Sequence, residues 1–430
     1  MSSLVQRPII DPSSLRFDLP PASPIVNRST TKIPPSNGSS FNASGRIIID
    51  IPANGFLDSA NTYLSFHSSI TGGTSPAFQA GGVPWLRRLR ISSGRNETIE
   101  DIQDYAAIEK MMCALTYHQD YSDFSGEIQA GYSNNNTNLV QYAAGKQFNV
   151  HLNLSGIFNS NKYWPLLITD GLRLEFYLDS INNVQNSSVA ATAYTIQFVS
   201  MVCEFIDVSG EYLNKFLGEL QQNGIRLHIP TYLTTQSSVS SASENIKITE
   251  AVRSIKSVWA TLRETSSLSS ATVNSVSTRQ FDLATYQYRF GNKYLPQQPV
   301  ECGGAGASGT EGVGAAEALS EVMKALNLHG GVDNGSQVEQ GVAVGVTQCR
   351  WSDGQDGGGD GSDNTSECFV IGVNMELDPD GSLSGLDGNR RILDLSLVFA
   401  DAPTNALTVS SYIYHDQICI LDQASLHVVF

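Results

Sequence analysis

Gly171-Leu-Arg-Leu-Glu-Phe-Tyr-Leu-Asp179 and Arg391-Ile-Leu-Asp-Leu-Ser-Leu-Val-Phe-Ala-Asp401 are two versions of one pattern. Each alternates large apolar residues with polar ones at a period close to two, the mark of a strand with one face in a core. Their surroundings repeat as well. Phe148-Asn-Val-His-Leu-Asn-Leu154 precedes the first, and a long strand pattern from Tyr194 to Asp207 follows it. Phe369-Val-Ile-Gly-Val-Asn-Met-Glu-Leu377 precedes the second, and Ala406 to Asp422 follows. The three elements recur in order at a shift of roughly 215 to 220 residues, with little identity between the copies. Upstream of each set lies a stretch with helical spacing, Thr98 to Leu115 and Gly314 to Leu328. One fold used twice in tandem accounts for this order.

Size and composition agree. A chain of 430 residues exceeds one ordinary core and suits two domains of about 200 residues each. Apolar residues make up 41% and charged residues 16%, with abundant Ser, Thr, Asn and Gly, a balance that favours β-rich domains with polar loops. The net charge is -16, and the densest basic cluster, Arg87, Arg88 and Arg90, lies inside a strand pattern. A protein that neutralises phosphates needs a basic stripe or arm, so direct nucleic-acid binding is not expected. No window of about 18 apolar residues suggests a membrane span. The opening Met-Ser-Ser-Leu-Val-Gln-Arg-Pro lacks the apolar core of a secretory signal. Six cysteines in so long a chain form neither a disulfide scaffold nor a paired zinc motif, and they read as buried thiols. Cys349 and Cys368 flank a Gly/Asp-rich loop and could close it; spacing alone does not decide that.

Along the chain, residues 1–44 carry prolines at 8, 12, 20, 21, 24, 34 and 35, and the expectation is an extended Pro-rich arm. A first β domain is expected over 45–209, opening with Arg46-Ile-Ile-Ile-Asp-Ile-Pro and a turn at Asn54-Gly55. Within it, Glu97, Glu100 and Asp101 are placed at the front of an amphipathic helix, where the dipole favours acids. Residues 210–224 read as a linking helix, with Tyr212, Leu213, Phe216, Leu217 and Leu220 on one face and Asn223-Gly224 as its stop. A second β domain over 225–430 opens with Ile225-Arg-Leu-His-Ile-Pro, an echo of Arg46 to Pro52, and continues through Ile246 to Leu262 and Phe281 to Phe290. Residues 301–370 hold 16 of the 37 glycines, so a surface insertion at about 301–368, outside both cores, is expected.

Signals for chemistry are sparse. The histidines at 67, 118, 151, 228, 329, 415 and 427 show no metal-ligand spacing, and His151 and His228 fall within strand patterns. No nucleophile elbow, Walker loop or dinucleotide fingerprint is present, so no catalytic or cofactor-binding residue is nominated. Gly358-Gly-Asp-Gly-Ser-Asp363 fits the first six positions of a calcium-binding repeat, which makes Asp360 and Asp363 the calcium candidates. Thr365 replaces the large apolar residue of that repeat and only one copy exists, so a solvated loop is the simpler reading.

Three local stretches carry a resemblance. Gly156-Ile-Phe to Lys162-Tyr-Trp-Pro165-Leu, Tyr286-Gln-Tyr-Arg-Phe-Gly-Asn-Lys-Tyr-Leu-Pro-Gln-Gln-Pro299 and Glu317-Ala-Leu-Ser-Glu-Val-Met-Lys-Ala-Leu326 are set in the duplicated layout of residues 45–430. Together they resemble the double jelly-roll major capsid proteins of icosahedral DNA viruses, in particular the polinton-like virus and virophage branch. The resemblance implies a mainly β chain of two tandem eight-stranded jelly-roll β-sandwiches with short inserted helices. It also implies a virion protein that forms a homotrimer with a pseudo-hexagonal outline. Such a tile would contact neighbouring capsomers, penton and minor capsid proteins, and an internal membrane where one is present. A jelly roll also serves as a scaffold for glycan-binding and glycan-active proteins. That alternative calls for aromatic residues on an exposed concave face, among Tyr286, Tyr288 and Tyr294.

Overall fold

The computed structural model describes residues 23–72, 83–116, 126–130, 146–185, 191–249, 252–270, 278–302, 315–327, 338–340, 349–352, 369–378, 383–389, 391–421 and 426–429. The first half runs β1 (Ile25–Ile33), β2 (Ser40–Asn42), β3 (Arg46–Ile51), β4 (Phe56–Leu57), β5 (Tyr63–Thr71), β6 (Leu86–Ser93), β7 (Thr98–Gln103), α1 (Tyr105–Thr116) and α2 (Gly126–Ala130). It continues through β8 (Lys146–Val150), β9 (Trp164–Pro165), α3 (Leu166–Thr169), β10 (Leu172–Leu178), α4 (Ile181–Val184) and β11 (Ala193–Val208). Helix α5 (Gly210–Asn223) leads into β12 (Ile225–Val239), β13 (Ser243–Ile248), β14 (Ser254–Glu264), β15 (Leu283–Phe290), β16 (Lys293–Glu301) and α6 (Ala315–Ala325). The chain then forms β17 (Val338–Gln340), β18 (Cys349–Ser352), β19 (Ile371–Asn374), β20 (Leu393–Phe399), β21 (Leu407–Leu421) and β22 (Leu426–Val429). Among the described residues no helix is long and apolar enough to cross a membrane.

The duplication is explicit in the sheets. One sheet of the first half orders β3-β10-β6-β7, and its counterpart orders β13-β20-β15-β16. The facing sheet runs β8-β5-β11 with β1 and β2 on the far side of β11, and its counterpart runs β19-β14-β21-β12. Two sheets facing each other in this order, twice over, are two eight-stranded jelly rolls. Alternation explains the packing of the strands read first. Leu172, Leu174, Phe176 and Leu178 of β10 are buried, as are Leu393, Leu395, Leu397 and Phe399 of β20. One contiguous cluster of buried apolar side chains spans both halves. Helices α1 and α6 occupy matching places, each following the outer strand of the smaller sheet, and Ala318 and Val322 of α6 are fully buried.

Five expectations need correction. Residues 23–44 of the expected arm contribute strands: β1 pairs with β11 from Ile25↔Val208 to Ile33↔Met201, and Arg28 bridges Glu204 and Asp58. Ile225-Arg-Leu-His-Ile-Pro is accordingly the counterpart of β1, whereas Arg46–Ile51 corresponds to Ser243–Ile248. The pairing decides this, because β12 lies along the long strand β21 while β3 and β13 lie along β10 and β20. The stretch Ile246 to Leu262 belongs to two strands, β13 and β14, in opposite sheets.

Thr98 to Leu115 is a strand followed by a helix. Residues 98–103 pair with β6 through Arg88–Asp101 and Arg90–Thr98 contacts, and Asp104, at φ 57°, turns the chain before α1 begins. The fifth concerns the insertion at about 301–368. Its segment Ala315–Ala325 is a core helix, packed with Ala325 against Gly372 of β19.

Candidate functional site

The exposed chemistry of the first jelly roll is largely self-neutralised. On the outer side of the β3-β10-β6-β7 sheet, Arg88 pairs with Asp101, Arg46 lies 3.8 Å from Glu175, and Arg173 lies 3.4 Å from Glu175. The guanidinium groups of Arg46 and Arg88 also stand 5.8 Å and 5.2 Å over the Tyr177 ring. Arg88 and Arg90, from the densest basic cluster in the sequence, are thus committed to Asp101 and Thr98 across a hairpin.

The most elaborate polar constellation lies where the two jelly rolls meet. Asp104, at the end of β7, accepts hydrogen bonds from Arg263 Nη2 at 2.8 Å and from the Tyr412 hydroxyl at 2.7 Å. Arg263, on β14, also donates to Ser410 Oγ at 2.8 Å, so the guanidinium is held from both halves although nearly enclosed. Thr234 Oγ1 of β12 donates to the Gln103 carbonyl at 3.1 Å, and Gln417 Nε2 of β21 donates to the Ile99 carbonyl. The loop after β8 presses onto β12 at Gly156, where a Cβ would lie 2.1 Å from the Pro230 carbonyl oxygen. The outer face of the second large sheet thereby buries itself on the β7–α1 corner of the first jelly roll.

Two buried carboxyl groups flank this joint and behave oppositely. Glu100 accepts from Ser155 Oγ and from the Gly156 amide at 2.8 Å, yet burial dominates and pushes its carboxyl up to about 7. Asp416 is also opposed by burial, but hydrogen bonds from His228 at 2.6 Å and Ser254 at 2.8 Å, with the Lys256 charge, hold it below its ordinary value. Lys256 in turn pairs with Glu376 at 2.9 Å. A cleft of about 870 Å³ opens beside these groups between the halves, with His151, Asn153, Lys256, Trp259, Glu376 and Tyr414 on its walls. His151 and His228 therefore border the joint, and burial lowers the pKa of His151.

The other residues singled out in the sequence separate clearly. Asp360, Asp363 and Cys368 lie outside the described residues, and among those described no group of three or more His, Cys, Asp or Glu could hold a metal ion. Cys203, Cys302 and Cys419 are buried free thiols, and burial pushes Cys203 and Cys419 up to about 12, far from the reactive thiolate range. Tyr286 and Tyr288 are fully buried, the Tyr286 hydroxyl donating to the Gly372 carbonyl at 2.8 Å; Tyr294 alone of the three is exposed. The aromatic platform required for glycan stacking is therefore absent from those positions. Sequence reasoning did not single out Asp104, Arg263 or Tyr412, because their partners come from the other half of the chain. No local signal marks them, since Arg263 lies in a strand that also carries Lys256 and Glu264.

The sequence matches no family model and no curated protein. Solved structures nevertheless superpose along nearly the whole chain. The PBCV-1 VP54 crystal structure, fitted into a reconstruction of the virophage Sputnik, is 14% identical at a TM-score of 0.62, covering 96% of this chain and 99% of that one. The Faustovirus major capsid protein is 9% identical at a TM-score of 0.61, with 95% and 92% covered. The mavirus major capsid protein is 8% identical at a TM-score of 0.52, with 100% and 96% covered. The strand order, its repetition and these superpositions give the chain the double jelly-roll fold that those capsid proteins share.

Proposed function

We propose that the chain is a major capsid protein of an icosahedral DNA virus, located in the virion, whose work is to trimerise and tile. The observation that carries this reading is one strand order repeated across the chain, in an arrangement that superposes on viral capsid proteins over at least nine-tenths of each partner. Three chains of two similar domains place six jelly rolls around a ring, giving a near-sixfold tile from a threefold assembly. Neighbouring capsomers, penton and minor capsid proteins, and an internal membrane where present, are the surroundings such a tile meets. The buried joint supports the reading, since a tile needs a fixed angle between its two halves. The enclosed thiols and paired arginines fit a structural role. The glycan-binding alternative gains no support from Tyr286 and Tyr288, which lie inside the second jelly roll.

Light scattering on the purified full chain tests the proposal. From a chain mass of 46.4 kDa, a closed trimer of about 140 kDa is expected, with hexagonal outlines in electron micrographs. A chain that remains monomeric at every concentration would overturn it.

A further inference from the structure

The two large sheets are equivalent in topology and opposite in exposure. In β14 and β21 the outward register pairs are Arg263↔Thr408, Thr261↔Ser410 and Trp259↔Tyr412, and all six residues are 9% exposed or less, with Asp104 of the first jelly roll seated on Arg263 and Tyr412. In β5 and β11 the corresponding outward pairs are Thr71↔Ala193, Ser69↔Thr195 and His67↔Gln197, and none of these six is buried. The third pair carries a ring contact in both cases. The Trp259 and Tyr412 rings lie 4.6 Å apart, and the His67 ring lies 5.2 Å from that of Phe198, the residue after Gln197.

Phe198 is built to project. The inward residues of β11 are Tyr194 and Ile196, then Val199, Met201, Cys203 and Phe205, so one extra residue enters the strand at this point. The register shift between Gln197 and Ser200 absorbs it as a bulge, and Phe198 is left 73% exposed at φ 53°. A bulky aromatic side chain at positive φ is strained, and among the described residues only the edge contact with the His67 ring offsets that strain. The equivalent strand β21 runs from Leu407 to Leu421 with no non-glycine residue at positive φ.

Within the chain, the buried face meets the end of β7 through Asp104, and the adjoining strand β12 meets Gln103. In the second jelly roll the counterpart of β7 is β16, an edge strand on which Lys293, Tyr294, Gln297, Gln298, Pro299 and Glu301 are exposed. The counterpart of β12 is β1, eight of whose nine residues are exposed, with Val26 at 70%. Each half thus presents the surface that its own counterpart has already matched.

We propose that the outer face of β1, β11, β5 and β8, centred on Phe198 and His67, docks the β16 edge of a second copy of this chain, repeating between chains the joint made within one. The inference rests on the capsomer reading and names the faces that make it. A ring of six jelly rolls then closes on two versions of a single contact, one covalently fixed and one reversible.

Light scattering across a dilution series of wild type and Phe198→Asn tests it. Asn tolerates positive φ and removes the aromatic anchor. The expected result is unchanged or raised thermal stability of the isolated chain, with assembly requiring at least about tenfold higher concentration. A variant that assembles like an assembling wild type overturns this inference and leaves the capsomer reading intact; a wild type that never assembles overturns both. Independently of that variant's folding, a benzoyl-phenylalanine photo-crosslinker at position 198, in a mixture of isotopically distinct copies, should link to residues 293–301 of another chain. Linkage only elsewhere overturns the assigned faces.

Discussion

Glu100 shows how a single side chain can be assigned to the wrong element and still identify a functional feature. Its spacing suggested the first turn of a helix, yet it lies in β7 against Ser155 and Gly156, fully buried beside the joint. Burial raises its carboxyl from 4.5 to about 7. Between those values the folded chain holds a proton that the unfolded chain has released. The stability linked to this group is therefore complete below about pH 4.5 and is lost as pH rises towards 7, by on the order of 3 kcal/mol. His415 works in the other direction, since burial lowers its pKa and its contribution is lost as pH falls. Comparing Glu100→Gln with wild type isolates the first effect, because Gln can accept from Gly156 and donate to Ser155 while carrying no charge. The variant should gain in melting temperature relative to wild type between pH 5 and pH 8 and be the more stable protein at pH 8. Parallel melting profiles would show that Glu100 does not titrate in this window.

At the scale of elements, what could be read depended on whether the information was local. The alternation in β10 and β20 is visible in the sequence because one face of each strand fills the core with large apolar residues while the other is mostly polar, even where Glu175 and Asp394 on that face are buried in contacts with Arg173 and Arg289. β1 is exposed along eight of its nine residues, so Ile25–Ile33 carries no alternation, and only its pairing with β11 makes it a strand. Arg46 to Pro52 and Ile225 to Pro230 share a local composition, but composition does not encode which strand lies alongside, and the two lie on different sheets. The helical spacing of α6 is legible over Gly314 to Leu328, but the glycine content around residues 301–370 hid its place: one face, with Ala318, Val322 and Ala325, belongs to the core and not to a surface insertion. That contrast can be tested by two changes. Val322→Asp places an unpaired charge at a fully buried site and should lower the melting temperature by about 10 °C or more. Replacing residues 328–366 with a flexible linker of about ten residues should shift it little, since α6 already ends against β19 and the chain has only a short gap to span. Equal losses from the two changes would place the 328–366 segment within the folded core as firmly as α6.

At the scale of the whole molecule, the joint decides whether two jelly rolls behave as one tile or as two domains on a tether. Helix α5 connects them, but only Leu220 of its apolar residues is buried, while Tyr212 and Leu217 remain exposed, so the helix alone is a weak brace. The rigid connection is the enclosed contact of Arg263 with Asp104, shared with Tyr412 and Ser410. Removing one partner of a buried ion pair strands the other charge and typically costs about 3–5 kcal/mol, whereas replacing both partners with apolar groups is often close to neutral. Asp104→Asn preserves the positive-φ turn and an acceptor oxygen while deleting the charge, and should lower the melting temperature by several degrees. Arg263→Met alone leaves the Asp104 carboxylate without its cation. The double variant should recover much of the combined loss, a coupling that calorimetry on the four proteins would measure as non-additivity. Separation of the single transition into two in Asp104→Asn would mean that this contact transmits cooperativity between the halves. If the two substitutions simply add, the fixed angle must come instead from the apolar part of the joint, Trp259 and the Gly156–Pro230 approach.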